Sequence, residues 1–187
     1  MALGPGPSAA MVKQGASRDN GRRRGVVHGG AAVLTIQRIL VPTDFSEASE
    51  EALKYAKEFA RAFSAELHLM HVLEDLAAHA WTTEVYVAAL PGVHDEMERQ
   101  AKDRLEAMLS PDERQALRAQ LILRVGSPFV EVVRYARDEK MDLIVMGTHG
   151  RGAIAHMLLG SVAERVVRKA HCPVLTVRHA QHEFVMP

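Results

Sequence analysis

At 187 residues, with 48% hydrophobic and 25% charged residues, the chain lies in the ordinary globular range and has the length for one domain with a substantial core. Its 23 Lys and Arg balance 23 Asp and Glu, so no net field draws it to nucleic acid or to an anionic membrane surface. The single cysteine, Cys172, excludes an internal disulfide and fits a reducing, cytoplasmic compartment, and no apolar run reaches the ~18 residues of a membrane span.

Residues 1–35 are rich in Gly, Pro, Ala and Ser and show no sustained periodicity, which predicts a disordered tail. Lys13, Arg18, Arg22, Arg23 and Arg24 against Asp19 make that tail basic. Its GVVHGGAAVL run is broken by a histidine and glycines, so it reads poorly as a secretory signal.

From Ile36 the pattern becomes regular. IQRILV (36–41) reads as a first strand, followed by PTDF and then by a helix in which Ala48, Ala52, Ala56, Phe59, Ala60 and Phe63 recur at helical spacing. Ser46 is the expected N-cap, with Glu47, Glu50 and Glu51 in the first turns. AELHLMHVL (65–73) is a second strand. The stretch 74–92, with Trp81, Val85, Tyr86 and Val87, exceeds most connections and reads as a cover over a site or as a partner surface. HDEMERQAKDRLEAML (94–109) is a second helix and AQLILRVG (119–126) a third strand. Ser127 is expected to cap a third helix over PFVEVVRYARDEK; MDLIVMG (141–147), SVAERVVRKA (161–170) and PVLTVR (173–178) complete the series as strand, helix and strand. Residues 36–178 thus form the domain, and 179–187 a short C-terminal tail.

Strict alternation of helices with nearly continuous apolar strands implies an α/β fold, a doubly wound five-stranded parallel sheet covered on both faces. Right-handed crossovers leave few topologies, of which 3-2-1-4-5 is favoured. In that order the chain reverses direction between strands one and four, and open α/β sheets bind ligands outside the strand ends at such a switch point. The two ends concerned are Pro42-Thr43-Asp44 and MGTHGRG.

The second end is dense in glycine. No Gly-Lys pair exists in the chain, so the Walker pattern is absent. Gly150-x-Gly152-x-x-Ala155 matches a dinucleotide fingerprint in letters, but it follows a late strand and lacks the downstream acidic residue. The informative spacing is Gly147-x2-Gly150-x9-Gly160-Ser161, from the end of a strand to the start of a helix. Gly147 and Gly150 let the main chain turn close to a ligand, while Gly160 and Ser161 offer amides and a hydroxyl at a helix N-terminus, where phosphate is favoured. Asp44 adds a carboxylate suited to ribose hydroxyls or an adenine amino group, or else a cap for the first helix; Pro42 is read as fixing the turn that aims it.

ILVPTDFS at residues 39–46, MGTHGRG at 146–152, LLGSVAERVVRKAHCPVLTV at 158–177 and the G-x2-G-x9-G-S spacing together resemble the universal stress protein family over residues 36–178. The resemblance implies a flavodoxin-like fold related to the adenine nucleotide alpha hydrolases, a homodimer, and in one branch binding of ATP, with or without Mg²⁺. It implies that Pro42, Thr43 and Asp44 meet the adenosine and that Val72 and Met146 lie against the base. It places Gly147 and His149 by the ribose, and Gly150, Gly160, Ser161 and Val162 around the phosphates. Ala163 departs from the pattern, since some ATP-binding relatives carry a hydroxyl there.

Ten histidines raise the question of a metal. His68 and His71 lie three apart on a strand and so point to opposite faces; His179 and His182 fall in the C-terminal tail, and His171-Cys172 has no second cluster. No metal site is expected. Nor does the motif supply a lysine for a transferring phosphoryl group or an assigned base for water, so the reading is a binding or regulatory module of the stress response rather than an enzyme. The alternative is an ATP hydrolase or nucleotidyl transferase using the same crevice. The apolar edge strand PVLTVR invites pairing, and a homodimer through it is expected, with a protein partner still to be identified and no nucleic acid or membrane.

Overall fold

The computed structural model describes residues 34–74, 92–148 and 159–178. Residues 1–33 and 179–187 of the expected tails, the greater part of the 74–92 stretch, and His149 and Gly150 lie outside the described residues. In chain order the elements are β1 (Arg38–Thr43), α1 (Glu47–Phe63), β2 (Glu66–Leu73), α2 (Val93–Ala107), α3 (Pro111–Ala116), β3 (Gln120–Val125), α4 (Pro128–Asp138), β4 (Leu143–Gly147), α5 (Ser161–Lys169) and β5 (Val174–Val177). All strand pairings are parallel and the order is β3-β2-β1-β4-β5, as expected.

The pleat divides the core in two. Ile39, Val41, Leu67, Leu69, Leu143 and Val145 face one side, with Ala52, Leu53 and Ala56 of α1 and Leu105 of α2. Leu40, Met70, Val72, Ile144 and Met146 face the other, with Val132 and Ala136 of α4 and Ala163 and Val166 of α5. Alternate strand residues therefore feed opposite helix layers, which is the doubly wound arrangement.

Three local expectations are corrected. The first strand spans Arg38–Thr43 rather than 36–41, and Pro42 lies within it, opposite Met70, instead of in a turn. Ser127 stands at the N-cap of α4 in extended conformation, but its side chain makes no cap bond. The short helix α3 was not anticipated, although Ser110 and Glu113 form a capping box with Pro111 at the first position.

Pro42 is tolerated because of the edge it occupies. The Arg38 amide donates to Asp142 Oδ2 at 3.0 Å and the Arg38 carbonyl accepts the Asp142 amide at 3.0 Å, so both face β4. Backbone groups alternate along a strand, which puts those of Leu40 and Pro42 on the same edge. Proline has no N–H to extend a ladder there. Pairing of β1 with β4 stops at Leu40 opposite Ile144, while pairing with β2 continues to Thr43 opposite His71. Hydrogen-bonded pairing of β1 with β4 thus ends before the carboxyl end of β1, at the point where the order reverses.

His68 and His71 do lie on opposite faces. His68 is 2% exposed; its Nδ1 is 2.8 Å from Tyr135 Oη of α4, while its Nε2 has no hydrogen-bond partner among the described residues. Burial pushes the imidazole below its ordinary value, outweighing the attraction of Glu66, whose carboxylate is 3.9 Å from Nε2. Burial, with Glu139 adding to it, also pushes the Tyr135 hydroxyl up to about 12. His68 is therefore neutral in the folded chain. As pH falls below the usual imidazole value of about 6.5, the unfolded chain takes up a proton that the folded chain refuses, and stability declines until the lower folded-state value is reached. Urea unfolding between pH 7.5 and 5 is predicted to show this loss, with a slope of at most about 1.4 kcal/mol per pH unit for this one group. His68→Gln, which can still bond Tyr135, is predicted to remove that component of the slope.

Candidate functional site

The turn between β1 and α1 is built by side chains bonding back to the main chain. Asp44 Oδ1 accepts the Ser46 amide at 3.1 Å and the Ser46 hydroxyl at 2.5 Å. Ser46, extended at φ −84° and ψ 159°, in turn caps α1 by accepting the Ser49 amide, as expected. Asp44 therefore acts on the cap residue of α1, and this contact holds the carboxylate at the strand end.

Thr43 faces the α1 side and is 6% exposed. Its hydroxyl lies 3.0 Å from Ser49 Oγ and accepts the Phe45 amide at 3.0 Å. Its carbonyl accepts from His71 Nδ1 at 2.7 Å, which places a proton on that nitrogen. Thr43 thus shapes the turn from beneath. Phe45 adopts φ 63°, rare for a bulky residue, with its ring 4.3 Å from the His71 ring and 4.1 Å from the Arg104 guanidinium.

Across the switch point, Gly147 ends β4 against the first turn of α1. A Cβ added there would sit 2.8 Å from the Ala48 carbonyl carbon, so only glycine allows this approach. The next residue, Thr148, is 3% exposed and joins three elements: its amide donates to the Val177 carbonyl at 2.9 Å and its carbonyl accepts the Gly160 amide at 2.7 Å. The start of α5 is thereby tied to the end of β4.

Gly160 is the N-cap of α5, extended at φ −67° and ψ 157°, and Ser161 is its first residue. Ser161 is thus not the cap that its residue type suggests. The first amides of a helix lack intrahelical acceptors, and glycine has no side chain to supply one. The exposed Ser161 and the half-buried Val162 stand at this end, while Ala163 turns into the core at 2% exposure. Ala163 packs with Met146 and Val166 on the face that Val72 shares.

Pro42, Val72 and Met146 share one face of the carboxyl end by strand alternation, Val72 and Met146 being 9% and 5% exposed. Asp44, Gly147, Gly160, Ser161 and Val162 lie around the same end, whereas the Thr43 side chain is turned to α1. Phe45 and Thr148 were not anticipated. No local pattern announces a positive φ at phenylalanine, and the Thr148 bond to Gly160 spans a loop. Among the described residues, no group of three His, Cys, Asp or Glu side chains is placed to hold a metal ion, and no helix is long and apolar enough to cross a membrane.

The arrangement has counterparts among known proteins. A family model described as the universal stress protein family matches residues 35–178. Universal stress protein MJ0577 of Methanocaldococcus jannaschii is 33% identical over 153 residues, which cover 76% of this chain and 94% of that protein. The solved structure of MJ0577 aligns with a TM-score of 0.65 at 32% identity, covering 79% of this chain and 99% of that one. A solved universal stress protein in complex with cAMP aligns at 26% identity and a TM-score of 0.55, covering 78% of this chain and 98% of that one. With a family match across the whole sheet and relatives above the 30% level aligned along most of their length, the chain belongs to the universal stress protein family.

Proposed function

We propose that this chain binds an adenine nucleotide, ATP with Mg²⁺, in the crevice between the carboxyl ends of β1 and β4, and that it serves in the cytoplasm as a nucleotide-dependent regulatory module of the stress response. The observation that carries the reading is the end of the β1–β4 ladder at the switch point, beside a helix start whose cap is a glycine. That helix start presents unpaired amides and a partial positive charge, the combination that suits phosphate. In this reading Asp44 accepts from the ribose or the adenine amino group, while Pro42, Val72 and Met146 lie beside the base and Thr43 holds the turn. Gly147 and His149 border the ribose; Gly150, Gly160, Ser161 and Val162 surround the phosphates. Mg²⁺ arrives with the nucleotide, held through phosphate oxygens and water, as is usual for this ion. The relative solved with cAMP supports an adenine nucleotide as the ligand class.

The charge on the ligand separates the two halves of the site. Ser161→Glu adds a carboxylate at the first position of α5, where a negative charge favours the helix and opposes a phosphate. Calorimetric titration is predicted to show ATP affinity lowered by at least about tenfold, or 1.4 kcal/mol, with adenosine affinity unchanged. Asp44→Ala is predicted to weaken both ligands. Equal ATP binding by wild type and Ser161→Glu would remove the phosphates from α5.

We also propose a homodimer through β5. This strand ends the sheet, and Val174, Leu175 and Thr176 are all partly exposed. The Val177 carbonyl faces β4, so by alternation the Thr176 amide faces outward. Light scattering is predicted to give twice the chain mass, and Thr176→Pro, which deletes an outward amide and spares the β4 ladder, to give the monomer. A monomeric wild type would overturn the proposal.

A further inference from the structure

A second concavity, of about 420 Å³, lies between α1 and α2 on the side of the sheet opposite α5. Phe45, Leu53, Ala107 and Met108 make its apolar walls, and Lys54, Lys57, Arg104 and Glu50 are its charged residues. The two lysines are matched by neighbouring carboxylates. Lys54 Nζ lies 2.6 Å from Glu51 Oε1, and its ammonium is held above its ordinary value by Glu51 first and by Glu50 after it. Lys57 Nζ lies 2.8 Å from Glu113 Oε1, and that contact holds the Glu113 carboxyl below its ordinary range.

Arg104 is different. Its guanidinium lies 4.1 Å from the centroid of the Phe45 ring, and among the described residues no carboxylate pairs with it. A guanidinium held over an aromatic face by cation–π attraction keeps its N–H donors available to other partners. An arginine presented in this way binds planar oxyanions through two parallel hydrogen bonds. Beside it lie Leu53, which is 4% exposed, and Met108, whose sulfur accepts from the Thr43 hydroxyl at 3.8 Å. Such sites combine apolar walls with a few placed polar groups.

We infer that the groove between α1 and α2 binds a small organic anion, its carboxylate, sulfonate or phosphate on Arg104 and its apolar body against Phe45, Leu53, Ala107 and Met108. With Lys54 matched by Glu51 and Lys57 by Glu113, Arg104 is the cation of the lining with no carboxylate paired to it among the described residues, and the Glu50 carboxylate, also in the lining, disfavours ligands with more than one negative charge. The groove is separate from the proposed nucleotide crevice, with Phe45 as the wall on the side of Asp44.

The probe is anilinonaphthalene sulfonate, a monoanion with an aromatic body, titrated into the nucleotide-free full chain and followed by fluorescence and by amide chemical shifts. Saturable binding is expected, with shifts at Leu53, Arg104 and Ala107. Arg104→Gln is expected to weaken it by at least about tenfold, a loss of 1.4 kcal/mol. Arg104→Lys, which keeps the charge without the fork, is expected to fall between the two. Arg99→Gln, on α2 and already paired with Glu96 and Asp103, is expected to bind as wild type does. The uncharged analogue N-phenylnaphthylamine is expected to bind weakly and equally to all of them. Equal sulfonate affinity in wild type and Arg104→Gln would overturn the proposal. So would shifts confined to Gly147, Thr148 and Ser161, which would place the dye in the nucleotide crevice. Circular dichroism checks that Arg104→Gln folds; if it does not, Arg104→Lys and the salt dependence of wild-type binding decide the matter, and a salt-independent affinity equal in both counts against it.

Discussion

How closely α1 can lie on β4 determines the rest of the carboxyl end. The buried stripe of α1 is made mostly of small residues, Ala48, Ser49, Ala52, Ala56 and Ala60, so the helix axis can sit low on the sheet. At its first turn the approach is closest, and Gly147 meets the Ala48 backbone with no room for a side chain. Even one added carbon would overpack this contact, a change that costs roughly 1–3 kcal/mol in well-packed interiors. The contact fixes the height of the α1 cap, and through Ser46 the height of Asp44, relative to Thr148. Thr148 then carries the position on to Gly160 and the start of α5.

Within that frame, Pro42 ends the β1–β4 ladder. Its missing amide faces β4, so the ladder between the two central strands ends early while the ladder to β2 runs its full length. Asp44, on one lip, is anchored by the helix it helps to cap. The other lip offers helix amides whose cap is glycine. The same pleat that sends Val72 and Met146 to this side sends Thr43 to the other, where it bonds Ser49 and His71. The site and the α1–α2 groove are thus the two faces of one strand end, with the Phe45 turn between them.

Much of this was legible in the sequence. The alternation of apolar strands with periodic helices carried the strand order, because right-handed crossovers leave little choice. Ser46 was readable as a cap and His68 and His71 as opposed, since both rest on local spacing. Pro42 was misread because a proline after an apolar run signals a turn in general; it stays in the strand because β1 no longer pairs with β4 at that position. The start of the last helix at Ser161 was readable, and glycine can serve as its N-cap. The α3 capping box was present in the letters Ser110-Pro111-Asp112-Glu113 and was overlooked because six residues carry no periodicity. Phe45 between His71 and Arg104 joins three distant segments, so no local pattern contained it.

The central claim is that the carboxyl ends of β1 and β4, with the start of α5, form the nucleotide site. A crystal structure of the chain grown with ATP and Mg²⁺ tests it most directly. The account predicts electron density for the base beside Val72 and Met146, for the ribose near Asp44 and for the phosphates at the amides of Ser161 and Val162. A saturated crystal with that crevice empty, or with the nucleotide bound elsewhere on the chain, would contradict it.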